Sequence, residues 1–158
     1  MKKVIKFIIA MILAFLPGIV GVMFTPRGMS DAWYNALNKS VLTPDGMVFG
    51  VAWTVLYAVL GIALFMVMVS NARAQTGKTR AYTAFGVQML LNALWTYLFF
   101  GLHLAAPAFV VIVGLIAVSV WMMRAFFGIN RHAAYLIVPY LMWLIFATYL
   151  NGVILYLN

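Results

Sequence analysis

Residues 46–70 read GMVFGVAWTVLYAVLGIALFMVMVS, which is 25 consecutive positions without a charged side chain. A run of about 20 apolar residues is long enough to cross the hydrocarbon core of a bilayer as a helix. In lipid, the backbone polar groups of such a run must pair within the segment, and the run shows no strand-like alternation. This stretch alone therefore predicts a transmembrane helix.

Four further apolar runs lie on either side of it, at residues 4–24, 82–101, 107–127 and 133–156. Of the 158 residues, 67% are hydrophobic and 8% are charged, whereas a soluble domain carries roughly 25% charged residues. We therefore expect an all-α membrane protein, a bundle of five transmembrane helices that forms one domain over residues 1–158.

The connection at residues 25–45 is unusually long for a compact bundle. Ser30 and Asp31 are suited to cap a short helix, and Trp33, Tyr34 and Leu37 follow at helical spacing. We expect a long, partly helical loop between the first two transmembrane helices.

Basic residues are distributed unevenly between the two sides of the predicted bundle. Arg27 and Lys39 lie in the 25–45 connection, and the other eight lie on the side of the N-terminus: Lys2, Lys3, Lys6, Arg73, Lys78, Arg80, Arg124 and Arg131. The positive-inside rule predicts a cytoplasmic N-terminus. We expect the membrane itself to be a bacterial inner membrane. The net charge of +8 is thus explained by topology, and we expect the lipid bilayer rather than nucleic acid as the partner.

Conventional catalytic and metal-binding groups are scarce. The acidic residues are Asp31 and Asp45, both in the connection, and the chain has no cysteine and two histidines far apart, His103 and His132. Paired carboxylates for acid–base catalysis and clustered metal ligands are therefore not expected, nor is a cofactor.

Aromatic and amide side chains share one face on each of three predicted helices. The three sets are Phe49, Trp53 and Tyr57; Gln88, Asn92 and Trp95; and Pro139, Trp143 and Ala147. Such faces pack helices together in ordinary membrane bundles. They also line flat apolar cavities in which a few polar groups orient a ligand. Spacing alone leaves both interpretations open.

Three short stretches of the sequence are more specific than helical spacing. They are WYNALNK at 33–39, with Thr43-Pro44, Val48-Phe49, Trp53 and Leu56-Tyr57 after it; QMLLNALW at 88–95, with FFG at 99–101; and VPYLMW at 138–143, with ATYLN at 147–151. In this order, the strings resemble the translocator protein family, whose members are also called tryptophan-rich sensory proteins or peripheral-type benzodiazepine receptors. Ser40, Leu42 and Asp45 stand where the family pattern has proline, tryptophan and proline, which predicts a less rigid and less aromatic loop.

The resemblance implies a five-helix bundle, commonly a homodimer, in which the first loop forms a lid over a pocket. Carried over position by position, the pocket residues are Tyr34, Pro44, Phe49, Trp53, Asn92, Trp95, Trp143 and Ala147. Family members bind porphyrins such as protoporphyrin IX and other flat hydrophobic ligands. Cholesterol is not expected, because the sterol motif needs a basic residue near the C-terminus and none follows Arg131.

The leading hypothesis is a tetrapyrrole-binding protein that acts as a sensor, scavenger or carrier, with Lys39 or Arg27 meeting the propionates. A second is an enzyme that degrades porphyrin with light and oxygen, in which Trp53 and Trp143 are the catalytic residues. A third is an accessory membrane subunit without a ligand.

Overall fold

The computed structural model describes residues 2–25, 31–70 and 75–158. Arg27, Ser30 and Arg73 lie outside the described residues. The helices are α1 Lys2–Phe24, α2 Ala32–Ala36, α3 Gly46–Val69, α4 Gln75–Thr96 with a π-helical turn Tyr97–Gly101, α5 Ala105–Phe127, α6 Arg131–Tyr135 and α7 Val138–Leu157.

Within the described ranges, five helical segments are long and apolar enough to span a bilayer: α1, α3, α4 with its π-helical turn, α5, and α6 with α7. The predicted five-helix membrane fold is thereby confirmed. The last predicted helix, 133–156, is divided between α6 and α7, because Pro139 has no N–H to donate to the carbonyl of Tyr135. The predicted short helix in the first connection is α2.

The helices form a closed bundle. Helix α1 packs against α3 and α4, α5 packs against α4 and α7, and contacts of α3 with α4 and α7 complete the circuit. We call the end that carries α2 the lid end and the opposite end the basic end. Of the eight described Lys and Arg residues, seven lie at helix termini of the basic end, and Lys39 lies at the lid end.

A buried chain of hydrogen bonds joins three of the spanning segments. The Tyr57 hydroxyl donates to Asn92 Oδ1 at 2.8 Å, and Asn92 Nδ2 donates to the Tyr140 hydroxyl at 2.8 Å. Gln88 Nε2 donates to the same Tyr140 hydroxyl. In an apolar environment such groups must find partners inside the protein, so these bonds fix how α3, α4 and α7 face one another.

A second polar bridge lies nearer the lid end. The Trp95 indole Nε1 donates to Asn151 Oδ1 at 3.4 Å, and Asn151 Nδ2 donates to the Ala105 carbonyl at 3.0 Å. This bridge connects α4, α7 and the start of α5.

Tyr140→Phe removes the acceptor that Gln88 and Asn92 share and leaves two buried amide donors without partners. We expect the free energy of unfolding to fall by about 1–3 kcal/mol, measured by denaturant unfolding in detergent micelles. The control is Tyr156→Phe, whose ring is exposed and whose effect should stay within about 0.5 kcal/mol. Equal losses in the two variants would contradict a stabilising role for the network.

Candidate functional site

A cavity of about 700 Å³ lies at the lid end, between α1, α3, the end of α4 and the lid. Sites for small molecules typically measure roughly 300–1,000 Å³. The residues around it are mostly aromatic, aliphatic or glycine. The cavity can therefore hold a single organic molecule of drug-like size or larger.

One wall of this cavity is a row of three aromatic rings, those of Tyr57, Trp53 and Trp95. The Trp53 ring is 5.5 Å from Tyr57 and 6.1 Å from Trp95, with an interplanar angle of 32° in both pairs. The Phe99 ring stacks behind Trp95 at 5.6 Å and 17°. A planar molecule can lie face-on against this row, which we call the aromatic wall.

The opposite wall is supplied by α1, through Phe15, Pro17, Gly18, Ile19, Gly21 and Val22. At two of these positions neighbouring side chains leave little room for a Cβ. A Cβ on Gly18 would lie 2.9 Å from the Tyr57 ring, and a Cβ on Gly21 would lie 3.2 Å from Thr96 Cγ2. This wall was not predicted from the sequence, in which its signal is Pro17-Gly18 and Gly21.

Five of the predicted site residues are brought together around the cavity: Tyr34, Pro44, Phe49, Trp53 and Trp95. Asn92, Trp143 and Ala147 are not among the described residues that line it. Asn92 is fully buried beneath the cavity, where its side-chain amide is paired with Tyr57 and Tyr140. Ala147 is buried in the core of the bundle.

Trp143 lies behind the cavity rather than in its wall. Its ring meets Phe49 edge-on at 5.3 Å and Trp53 at 6.4 Å. Its indole Nε1 is buried without a hydrogen-bond partner among the described residues. Trp143 therefore supports two lining rings from behind.

The lid is fastened to the bundle at the start of α2. Asp31 caps this helix, as its Oδ1 accepts from the Trp33 backbone N–H at 2.9 Å. Its other oxygen, Oδ2, lies 3.1 Å from His103 Nε2, and the His103 ring stacks on Trp33 at 4.4 Å. His103 has a left-handed backbone with φ 56°. In the sequence His103 is one of two histidines that lie far apart, and its contact with Asp31 was not predicted.

The lid is also tied to α7 at two points. The Asn38 backbone N–H donates to Asn158 Oδ1 at 2.9 Å, and Asn158 Nδ2 donates to the Asn38 carbonyl at 3.0 Å. The hydroxyls of Ser40 and Tyr149 are 3.1 Å apart. We call these contacts the lid latch.

Charge around the cavity is sparse and lies at the lid. In the described part of the chain, the charged residue that lines the cavity is Asp31. Lys39 is not a lining residue; its Nζ donates to the Tyr34 carbonyl at 2.6 Å and lies 4.5 Å from the centre of the Tyr34 ring. Burial raises the pKa of the Tyr34 phenol above its ordinary value of 10.0, so at neutral pH this lining group is protonated and can donate a hydrogen bond.

Comparisons with known proteins give a consistent result. Residues 9–157 match the TspO/MBR family. The chain is 35% identical over 154 residues to the Tryptophan-rich protein TspO of Archaeoglobus fulgidus, covering 96% of each chain. It is 35% identical to the Tryptophan-rich sensory protein of Cereibacter sphaeroides, covering 94% and 92% of the two chains. To the Translocator protein of Bos taurus it is 30% identical, covering 89% and 82%.

His103→Ala removes both the partner of Asp31 and the ring that stacks on Trp33. We expect this to cost about 1 kcal/mol of local lid stability, which is roughly a fivefold shift in its opening equilibrium. Hydrogen exchange of the α2 backbone amides should accelerate accordingly. The control is His132→Ala at the basic end, and unchanged α2 exchange in His103→Ala would show that the contact does not hold the lid.

Proposed function

Because the chain belongs to the TspO/MBR family of integral membrane proteins, we propose that it is a membrane receptor for tetrapyrroles such as protoporphyrin IX and for related flat hydrophobic molecules. The ligand occupies the cavity at the lid end, and the protein acts as a sensor, scavenger or carrier. The family membership indicated by the three sequence strings is confirmed by the match and by the relatives. The names of two relatives, a sensory protein and a translocator, support a role in sensing or moving a ligand.

The observation that carries this proposal is the aromatic wall. Trp53, Tyr57 and Trp95 all line the cavity, and the Trp53 ring plane lies at 32° to each of the other two. Helix α1 lines the cavity with small residues, Pro17, Gly18 and Gly21. A porphyrin presents two flat apolar faces that fit such a slot. Each aromatic contact contributes about 0.5–1.5 kcal/mol beyond the burial of apolar area.

Orientation of the ligand would come from the lid side. The protonated Tyr34 phenol can donate to a ligand carboxylate, and Lys39, held against Tyr34, is the nearest described cation on the lid. Deeper in the cavity, the Tyr57 hydroxyl already donates to Asn92. The apolar macrocycle would therefore point inward and the propionates toward the lid.

The charge distribution supports a proposal about orientation in the membrane. Seven of the eight described Lys and Arg residues lie at the basic end, which the positive-inside rule places in the cytoplasm. In a bacterial inner membrane, the lid and the cavity would then face the periplasm.

Binding is tested by titrating protoporphyrin IX into the protein in detergent and following tryptophan fluorescence. We expect saturable quenching, and Trp53→Leu should weaken binding about tenfold, or by about 1.4 kcal/mol. The control is Trp121→Leu, since Trp121 is an exposed residue on α5 away from the cavity. A wild-type titration without saturable quenching would rule out the proposed function.

Asp31 allows a test of how the ligand's anionic edge is placed. If the propionates lie at the lid, Asp31→Asn removes a negative charge that repels them. We expect the affinity for protoporphyrin IX to rise about fivefold, which corresponds to the repulsion between charges about 10 Å apart after screening. Affinity for the neutral dimethyl ester should not increase. Asp45→Asn, which removes the same charge from an exposed residue outside the cavity lining, is the control. An equal gain for acid and ester would place the propionates elsewhere.

A further inference from the structure

Helices α1 and α3 pack tightly in the half of the bundle nearer the basic end. The Phe7 and Phe65 rings are 5.4 Å apart, and the Phe15 and Tyr57 rings are 5.9 Å apart. Between them, a Cβ added to Gly61 would lie only 3.4 Å from the Met11 Cα. No route between these helices is open at this level.

Beyond Gly18, which still lies against Tyr57 of α3, the contacts of α1 shift to α4. Gly21 lies against Thr96, and the Phe24 ring lies 4.9 Å from the Tyr97 ring of the π-helical turn. Pro17 comes just before this change, and an interior proline removes a helical hydrogen bond and permits a bend. The last two turns of α1, nearer the lid end, therefore pack against α4 and its π-helical turn.

The space left between α1 and α3 opens to the outside. Three cavity-lining residues of these two helices are largely exposed: Ile19 at 58%, Val22 at 68% and Met47 at 83%. Gly50 also lines the cavity and is exposed, and a Cβ added there would meet no described atom within 4 Å. We call this gap the side opening.

The lid end, in contrast, is held by polar contacts. Asp31 pairs with His103 at one end of the lid, and Asn38 and Ser40 form the lid latch with Asn158 and Tyr149 at the other. Entry past the lid requires these contacts to break, whereas entry through the side opening requires none of them to change.

We propose that the side opening between α1 and α3 is the entrance of the cavity and that the ligand enters it directly from the bilayer. This inference rests on the proposed function for the ligand's identity. A flat apolar molecule dissolves in the hydrocarbon core, where it is concentrated beside Ile19 and Val22 and need not return to water to bind. The exposed rim residues are apolar, as a surface in contact with acyl chains requires.

The test narrows the side opening and measures exchange rates. Gly50→Phe places a ring into the gap, and the control is Gly114→Phe on α5, where a Cβ also meets no described atom. The probe is protoporphyrin IX dimethyl ester in lipid nanodiscs, followed by stopped-flow tryptophan fluorescence, with dissociation started by adding excess empty vesicles.

We expect Gly50→Phe to slow association and dissociation alike by about tenfold, equivalent to about 1.4 kcal/mol in each barrier, while Gly114→Phe changes neither. Slower dissociation is the decisive sign, because a substitution that merely crowded the cavity would speed release. The proposal is overturned if Gly50→Phe leaves both rates unchanged, or if the lid-latch variant Asn38→Ala/Ser40→Ala accelerates exchange and Gly50→Phe does not slow it.

A second measurement, which needs no porphyrin, tests the proposed entrance independently of the proposed function. Lipids brominated in their acyl chains quench tryptophans that they touch, and the part due to Trp53 is the difference between wild type and Trp53→Phe. We expect this part to be substantial in the ligand-free protein and to fall in Gly50→Phe. If the protein binds porphyrin but Trp53 is not quenched by the lipids, the proposed function is retained and the side opening is refuted. If Trp53 is quenched by the lipids but porphyrin does not bind, the side opening is retained and the proposed function is refuted.

Discussion

The hydrogen bonds that join Tyr57, Asn92, Gln88 and Tyr140 determine how the helices of this bundle face one another. In lipid, apolar side chains gain little by turning inward, because the surrounding acyl chains are equally apolar. Unpaired amides and hydroxyls are costly there, so the rotation of α3, α4 and α7 that pairs both tyrosine hydroxyls, the Asn92 amide and Gln88 Nε2 is strongly preferred. That rotation also turns Trp53, one helical turn from Tyr57, and Trp95, near Asn92, toward the same space. The aromatic wall is thus a consequence of the polar network below it.

The fold could be predicted from sequence because its signal is compositional and local. Uncharged runs such as residues 46–70 have one stable form in a membrane, and their ends fall where polar residues begin. Helical spacing also identified the faces that carry Trp53, Asn92 and Trp95. Helical spacing does not show which residues of a face lie at the level of the cavity and which lie below or behind it. Asn92 is therefore below the cavity and Trp143 behind it, although both lie on the predicted faces.

Two parts of the candidate site left little trace in the sequence. The α1 wall depends on Gly18 and Gly21, and what matters there is the absence of a side chain, which carries no chemical signature until Tyr57 and Thr96 are placed beside it. The pairing of His103 with Asp31 joins residues 72 positions apart. A π-helical turn and a left-handed residue set its geometry, and neither follows from a local pattern. Contacts of this kind emerge only from the three-dimensional arrangement.

The lid latch has a thermodynamic consequence for signalling. Tyr34 and Pro44 line the cavity, and the segment between them carries Asn38 and Ser40, which bind α7. Coupling between ligand binding and closure of the latch is reciprocal. If the closed latch multiplies the affinity for a ligand by some factor, the bound ligand multiplies the ratio of closed to open latch by the same factor. With a ligand in the proposed site, the end of α7 would thereby report occupancy at a distance from the bound molecule. Such an output requires neither a charged residue within the membrane nor a chemical reaction.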